Sequence, residues 1–152
     1  MPPPKTAKLG KTLLIVEDDI LPALVLRDEL EDAGYHVLDL TERHRQALAA
    51  ATEHHPDLAL VNIELQGNDD GIALAEELKA LGIPVLFISG QVSRARTART
   101  VAIGSLPKPY SPAEMVQAVA YLFRHLDGDE SLPRPGHLEV FSEPGDGLAP
   151  AA

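Results

Sequence analysis

Apolar positions along the chain fall into two rhythms. Short unbroken runs, T-L-L-I-V at 12–16, L-A-L-V at 58–61 and I-P-V-L-F-I at 83–88, are too brief for helices and read as buried strands. Between them, apolar residues recur at helical spacing. Leu24, Leu26 and Leu30, widened by Val25, mark a helix from Ile20 to Ala33. Ala47, Leu48 and Ala51 mark one from about Glu42 to His54, with Thr41 as its cap. Ile72, Leu74, Ala75 and Leu78 mark a third, from Gly71 to Leu81. Residues 91–103 predict a weaker helix, because Thr and Val lower its propensity. Ser111, Pro112 and Glu114 form a capping box with Pro at N1, opening a last helix that runs to His125. Tyr35–Leu40 and Ser105–Lys108 complete the set as a second and a fifth strand.

Five strands alternating with five helices predict an α/β fold with a parallel sheet covered on both faces. The core then spans residues 11–126. Residues 1–10, with three prolines, read as a flexible lead. Residues 127–152 hold four prolines and four glycines and cannot bury a core of their own, so disorder is expected there. Within them His137 to Phe141 has the pattern of a small docking strand or a partner motif.

Composition narrows the function. Without cysteine there is no disulfide scaffold, thiolate catalysis or Cys-ligated zinc. No apolar run reaches membrane-spanning length, and the start lacks a secretory core, which predicts a cytoplasmic protein with no membrane partner. Net charge is −10, half of it from the tail, which carries six acids and one Arg. That sign argues against DNA as a partner, since phosphate contacts need a basic patch. No G-x-x-x-x-G-K-[ST] or G-x-G-x-x-G motif is present, so nucleotide chemistry has no support and no enzyme is expected.

The candidate chemistry lies at the carboxyl ends of the strands, where open α/β sheets place their working sites. Glu17 and Asp18 end the first strand, Asn62 the third, Ser89 the fourth and Lys108 the fifth. Paired carboxylates suit Mg²⁺. A hydroxyl and a lysine beside them make a phosphoryl-transfer constellation, which works by positioning and charge. Arg94, Arg96 and Arg99 form a basic face on the fourth helix, read as a solvated face or a docking surface.

From Lys11 to Leu126 the chain resembles the CheY-like receiver domain of two-component response regulators. The likeness rests on L-L-I-V-E-D-D at 13–19, P-D-L-A-L-V-N-I-E-L at 56–65, N-D-D-G at 68–71, P-V-L-F-I-S-G at 84–90 and L-P-K-P-Y at 106–110, in order. It implies a flavodoxin-like, doubly wound (βα)5 sandwich with strand order 2-1-3-4-5. It assigns Glu17 and Asp18 to the acid pair that holds Mg²⁺, and Asn62 to both the phosphoacceptor position and the metal shell. Ser89 and Lys108 become the phosphoryl-contacting hydroxyl and lysine. The backbone carbonyl of Glu64 completes the metal shell, and a cis peptide is expected between Lys108 and Pro109. The implied partners are a sensor histidine kinase or a histidine phosphotransfer protein, a downstream protein target and a second copy of the chain.

The departures carry the functional reading. Asn62 stands where the family has Asp, and a neutral amide cannot form an acyl phosphate. Its loss of charge weakens Mg²⁺ and relieves repulsion between the remaining acids. Ser105 stands at the aromatic switch position. The interval from Ser89 to Lys108 is short, and Gly90 follows Ser89. These last features resemble an atypical, largely single-domain subclass with a Phe-x-[Thr/Ser]-Gly fourth strand. The chain is thus expected to be a receiver that is not phosphorylated at position 62, through an engineered lock or as a natural pseudo-receiver. The competing expectation is a phosphorylation-independent adaptor that uses the arginine face and the acidic tail.

Overall fold

The computed structural model describes residues 10–65 and 70–145. The lead up to residue 9, residues 66–69 with Asn68 and Asp69 of the N-D-D-G motif, and the chain from residue 146 lie outside them. The element order is β1 (Thr12–Val16), α1 (Ile20–Asp32), β2 (His36–Val37), α2 (His44–His54), β3 (Leu58–Asn62), α3 (Gly71–Ala80), β4 (Val85–Ser89), α4 (Val92–Thr97), β5 (Gly104–Pro107), α5 (Pro112–Leu126) and β6 (Glu139–Val140).

The sheet runs β2-β1-β3-β4-β5-β6, parallel up to β5. Successive side chains of a strand face opposite sides, and both sides are buried here, which is why the strands read as unbroken apolar runs. On one face Leu14, Val16, Val61 and Phe87 pack with Ala47 and Ala51 of α2, Leu74 and Leu78 of α3 and Ala95 of α4. On the other, Leu13, Ile15, Leu60 and Ile88 pack with Leu26 and Leu30 of α1 and Met115, Val119 and Leu122 of α5.

Several local expectations are corrected. The second strand shrinks from Tyr35–Leu40 to His36–Val37. Beyond it the chain still follows β1, with Leu38 and Thr41 donating to the carbonyls of Leu13 and Ile15, but without regular pairing. Thr41 does not cap α2. Its buried hydroxyl donates to the Ile15 carbonyl at 2.8 Å, and α2 starts two residues later behind Arg43. Asp19 occupies the N-cap of α1 without a side-chain cap bond, whereas Asp70 caps α3 by accepting from Ile72 N–H. The fourth helix is six residues long, far short of 91–103. The capping box at Ser111 and Glu114 is present, and the Lys108–Pro109 peptide is cis.

The largest difference is the segment after α5. Instead of disorder, residues 127–145 form a strap across the exposed edge of β5, and the sheet has six strands rather than five. β6 pairs antiparallel to β5, with Gly104 opposite Val140 and Ser105 opposite Glu139. Leu138, 3% exposed, enters the α5 face of the core. Phe141 N–H reaches the Ile103 carbonyl at 2.8 Å. His125 at the end of α5 is buried and meets the strap twice, through Nδ1 to Glu130 at 2.7 Å and Nε2 to the Ser142 carbonyl at 2.9 Å. The strap needs no core of its own because it completes one that already exists. Gly104 makes the approach possible, since a Cβ there would lie 2.6 Å from the Glu139 carbonyl oxygen.

Candidate functional site

The carboxyl edge of the sheet gathers the residues singled out in the sequence. β1 delivers Glu17, 4% exposed, and Asp18, while β3 delivers Asn62, 2% exposed. β4 ends in the fully buried Ser89, and Lys108 follows β5. The register places Asn62 opposite Ile88 and Ser89 opposite Pro107, so these side chains leave the sheet at one level. Gly71, at the start of α3, lies against this edge. A Cβ there would sit 2.3 Å from the Asn62 carbonyl oxygen, so only glycine lets α3 begin so close to β3.

Asn62 is fixed at both ends of its amide. Nδ2 donates to Glu17 Oε2 at 3.2 Å and to Asp18 Oδ1 at 3.5 Å. Oδ1 accepts the Glu64 N–H at 3.1 Å. Glu17 also accepts the Asp19 N–H at 3.0 Å, and Lys108 Nζ lies 4.0 Å from its other oxygen. Burial pushes the Glu17 carboxyl above its ordinary range and Asp18 adds to the effect, while the Asp19 N–H and Lys108 pull it down. Tyr110 lines the same edge, its hydroxyl pushed up to about 12 by burial and by Glu17.

Two groups act beyond the sequence reading. Glu64, expected to contribute only its carbonyl, folds its side chain across to β4. Ser89 Oγ donates to its Oε2 at 2.9 Å, and Gly90 N–H approaches Oε1 at 3.4 Å. Arg94, expected on an outward basic face, points to this cluster instead, with Nη2 3.3 Å from Asp70 Oδ1 and Nη1 3.9 Å from Glu64 Oε2. Arg94 thus turns away from the other two, while Arg96 and Arg99 are exposed and line a common cleft. Arg96 makes a two-pronged pair with Glu139 of the strap, and Arg99 lies in the turn beyond α4. Spacing alone gives no signal for these pairs, because Glu64 follows β3 and Glu139 lies in the strap. Ser105, at the expected switch position, is buried and stands opposite Glu139 of β6 in the sheet.

Oxygen donors for a hard cation are present in Glu17, Asp18 and the Glu64 carbonyl. Asn62 spoils the set as arranged, because its amide hydrogens are aimed at the carboxylate oxygens a cation would need. Among the described residues no cluster of three His, Cys, Asp or Glu is placed to hold a metal. Glu17, Asp18 and the Glu64 carbonyl would be the ligands of a cation there, once the Asn62 amide turned its hydrogens away.

A parallel sheet in this order, with acids, a hydroxyl and a lysine at one edge, defines a flavodoxin-like signalling domain. The chain belongs to the response regulator receiver family, whose domain model matches residues 13–120, more than half of its length. It is 33% identical over 133 residues to the phosphate regulon transcriptional regulatory protein PhoB of Pseudomonas aeruginosa, a match covering 82% of this chain and 57% of that protein. It is 29% identical to the transcriptional regulatory protein PdtaR of Mycobacterium tuberculosis, over 74% of this chain and 57% of the relative. The chain thus spans about half the length of the curated relatives it matches. Among solved structures, the receiver domain of a modulated diguanylate cyclase from Desulfovibrio desulfuricans G20 superposes with a TM-score of 0.66 at 35% identity, covering 73% of this chain and 91% of that one. A response regulator from Chloroflexus aurantiacus J-10-fl gives 0.67 at 29%, covering 74% and 97%. Receiver domains are signalling modules of two-component systems that interact with histidine kinases or phosphotransfer proteins, and Mg²⁺ and phosphorylation are typical of them. No helix among the described residues is long and apolar enough to cross a membrane.

Proposed function

We propose that this chain is a two-component receiver whose phosphoacceptor position is held by Asn62, so that it accepts no phosphoryl group there. The observation that carries this is the Asn62 amide, hydrogen-bonded to both Glu17 and Asp18 at the place where the family has a nucleophilic carboxylate. An amide nitrogen has no free lone pair for attack at phosphorus. Ser89 and Lys108 are the phosphoryl-contacting pair of the site. Mg²⁺ binds more weakly than in a carboxylate version, since the amide must first turn over to present its oxygen. The Phe87-x-Ser89-Gly90 ending of β4, the six-residue α4 and the buried Ser105 support membership of the atypical subclass that lacks an aromatic switch.

The partner is a sensor kinase or a phosphotransfer protein that docks over the α1 end of the site. Leu21 and Val25, 69% and 49% exposed, stand on α1 beside a cleft of about 540 Å³ lined also by Glu17, Lys108, Tyr110 and Pro112. Exposed apolar groups rimming the chemistry suit a protein surface that must reach it. The adaptor reading shares this face but gains little from the tail. Much of the tail through residue 145 is spent on the chain's own α4, β5 and α5.

The deciding experiment compares the chain with Asn62→Asp. Each is given acetyl phosphate and Mg²⁺, and intact mass is measured. The introduced carboxylate oxygen attacks phosphorus while the bond to acetate breaks, so one phosphoryl group is added. Uptake by the Asn62→Asp variant alone is expected. Uptake by the parent chain would overturn the assignment of position 62. The gene in the source organism separates a natural pseudo-receiver from an engineered lock.

A further inference from the structure

We propose that the Glu64 carboxylate is a resident anion of the phosphoryl site: it occupies the donors that a phosphoryl group would use, and any incoming phosphoryl group must displace it. This deepens the reading of Asn62 and Ser89 given above and rests on it.

The geometry starts from Ser89. Its hydroxyl is fully buried, so its single hydrogen must be used, and two acceptors stand within reach. Glu64 Oε2 lies at 2.9 Å and the Gln91 carbonyl at 3.2 Å. The shorter, charge-assisted bond to the carboxylate is the stronger. Gln91 N–H in turn donates to Ser89 Oγ at 2.8 Å, which orders the turn into α4. Gly90 N–H faces the second carboxylate oxygen at 3.4 Å, and the Arg94 guanidinium stands 3.9 Å from the first. A hydroxyl, a backbone N–H and a guanidinium converging on one carboxylate form an anion cradle, assembled from β4, the turn after it and α4.

Glu64 is held to this task from its own end. Its backbone N–H is anchored on Asn62 Oδ1 at 3.1 Å, so the residue that replaces the acceptor also fixes the residue that fills the cradle. A simple surface ion pair with Arg94 would not explain the contact to the buried hydroxyl. The consequence is a chain whose β4–α4 turn is already set as if an anion were bound, without a kinase.

The test uses the full chain in five forms. Three carry Asn62→Asp: alone, with Glu64→Gln, and with Glu64→Ala. The other two are the parent chain, unsubstituted and with Glu64→Ala alone. Uptake of a phosphoryl group from acetyl phosphate with Mg²⁺ is followed by mass, and exchange of the Gly90 and Gln91 amides by NMR. Apparent affinity falls by the fraction of time that Glu64 leaves the cradle free. Removing the carboxylate is therefore expected to raise the rate of uptake, with Glu64→Ala at least as effective as Glu64→Gln. In the parent chain Glu64→Ala is expected to speed exchange at Gly90 and Gln91. Phosphorylation of the double variant Asn62→Asp, Glu64→Ala is expected to slow it again. Equal uptake by all three forms carrying Asn62→Asp, or unchanged amide exchange in the parent with Glu64→Ala, would overturn the resident anion. No uptake by any form carrying Asn62→Asp would instead overturn the reading of position 62 itself.

Discussion

Replacing Gly104 with Ala tests whether the strap is a separable part of the fold. The new Cβ would lie 2.6 Å from the Glu139 carbonyl oxygen and 3.7 Å from Leu86 Cδ1. The second distance is ordinary contact, so the whole conflict falls on β6. The obstacle is backbone, which no rotamer change relieves. β5 is held by four residue pairs to β4 and cannot retreat, so β6 must move. Its movement puts at risk the ladder bonds around Gly104 and Ser105, at about 0.5–1.5 kcal/mol each, and the burial of Leu138, at about 1.5–3 kcal/mol. The Arg96–Glu139 pair adds little, because its members are 60% and 33% exposed. A partial release then costs about 2–4 kcal/mol of local stability. By the tenfold-per-1.4 kcal/mol rule, amide exchange over residues 138–141 should accelerate by roughly 30- to 700-fold. Hydrogen exchange read by NMR measures this, with the β3 amides as the internal reference. Unchanged protection at Phe141 would refute the steric reasoning. Equal loss of protection in β3 would show that strap and core open together.

The other predictions concern the clasp and the site. His125→Phe can still stack on Tyr121 but removes both strap contacts, to Glu130 and to the Ser142 carbonyl, so thermal denaturation should show a loss of about 1–3 kcal/mol. Glu130, Glu114 and Asp129 all have depressed carboxyl pKa values, led by hydrogen bonds from Tyr121, His137 and Ser131 respectively. A depressed acid contributes stability above its unfolded pKa that is lost as pH falls through the folded value. Acidification below the ordinary carboxylate range should therefore speed exchange in the strap before the core, and simultaneous loss would contradict this. Glu17 has the opposite sign: its raised carboxyl favours the fold at low pH and costs stability as pH rises through the folded value. Glu17→Gln should raise the melting temperature at neutral pH and lose that advantage on acidification, as calorimetry across pH would show.

The parts of the fold that can be read from sequence are those whose signal is local. β1, β3 and β4 are buried on both faces and so appear as apolar runs. The capping box at Ser111 is a contact between neighbours in the chain. β2 comes out too long from sequence because Tyr35–Leu40 is apolar enough for a strand, while only His36 and Val37 find regular partners. The strap escapes for the converse reason. Its prolines and glycines signal disorder, and Leu138 and Phe141 gain meaning only against β5 and α5. At the candidate site, the strand ends place Glu17, Asp18, Asn62, Ser89 and Lys108 on one edge, as topology requires. Glu64 and Arg94 escape because a side chain that turns back across two strands leaves no spacing to read.

The strap is also a closed excursion. The carbonyl of His125 accepts the N–H of Gly128 at 3.0 Å as the chain leaves α5, and the N–H of Gly145 at 2.7 Å as it returns. The built Cβ of Gly128 would lie 3.6 Å from Gly145 Cα, so departure and return nearly touch. Between these points the segment seals a sheet edge and anchors α4, yet it advances the chain by almost no distance. A fusion partner or tether attached after Gly145 would start from nearly the same point as one attached directly to α5. Lever length and edge protection are thereby decoupled.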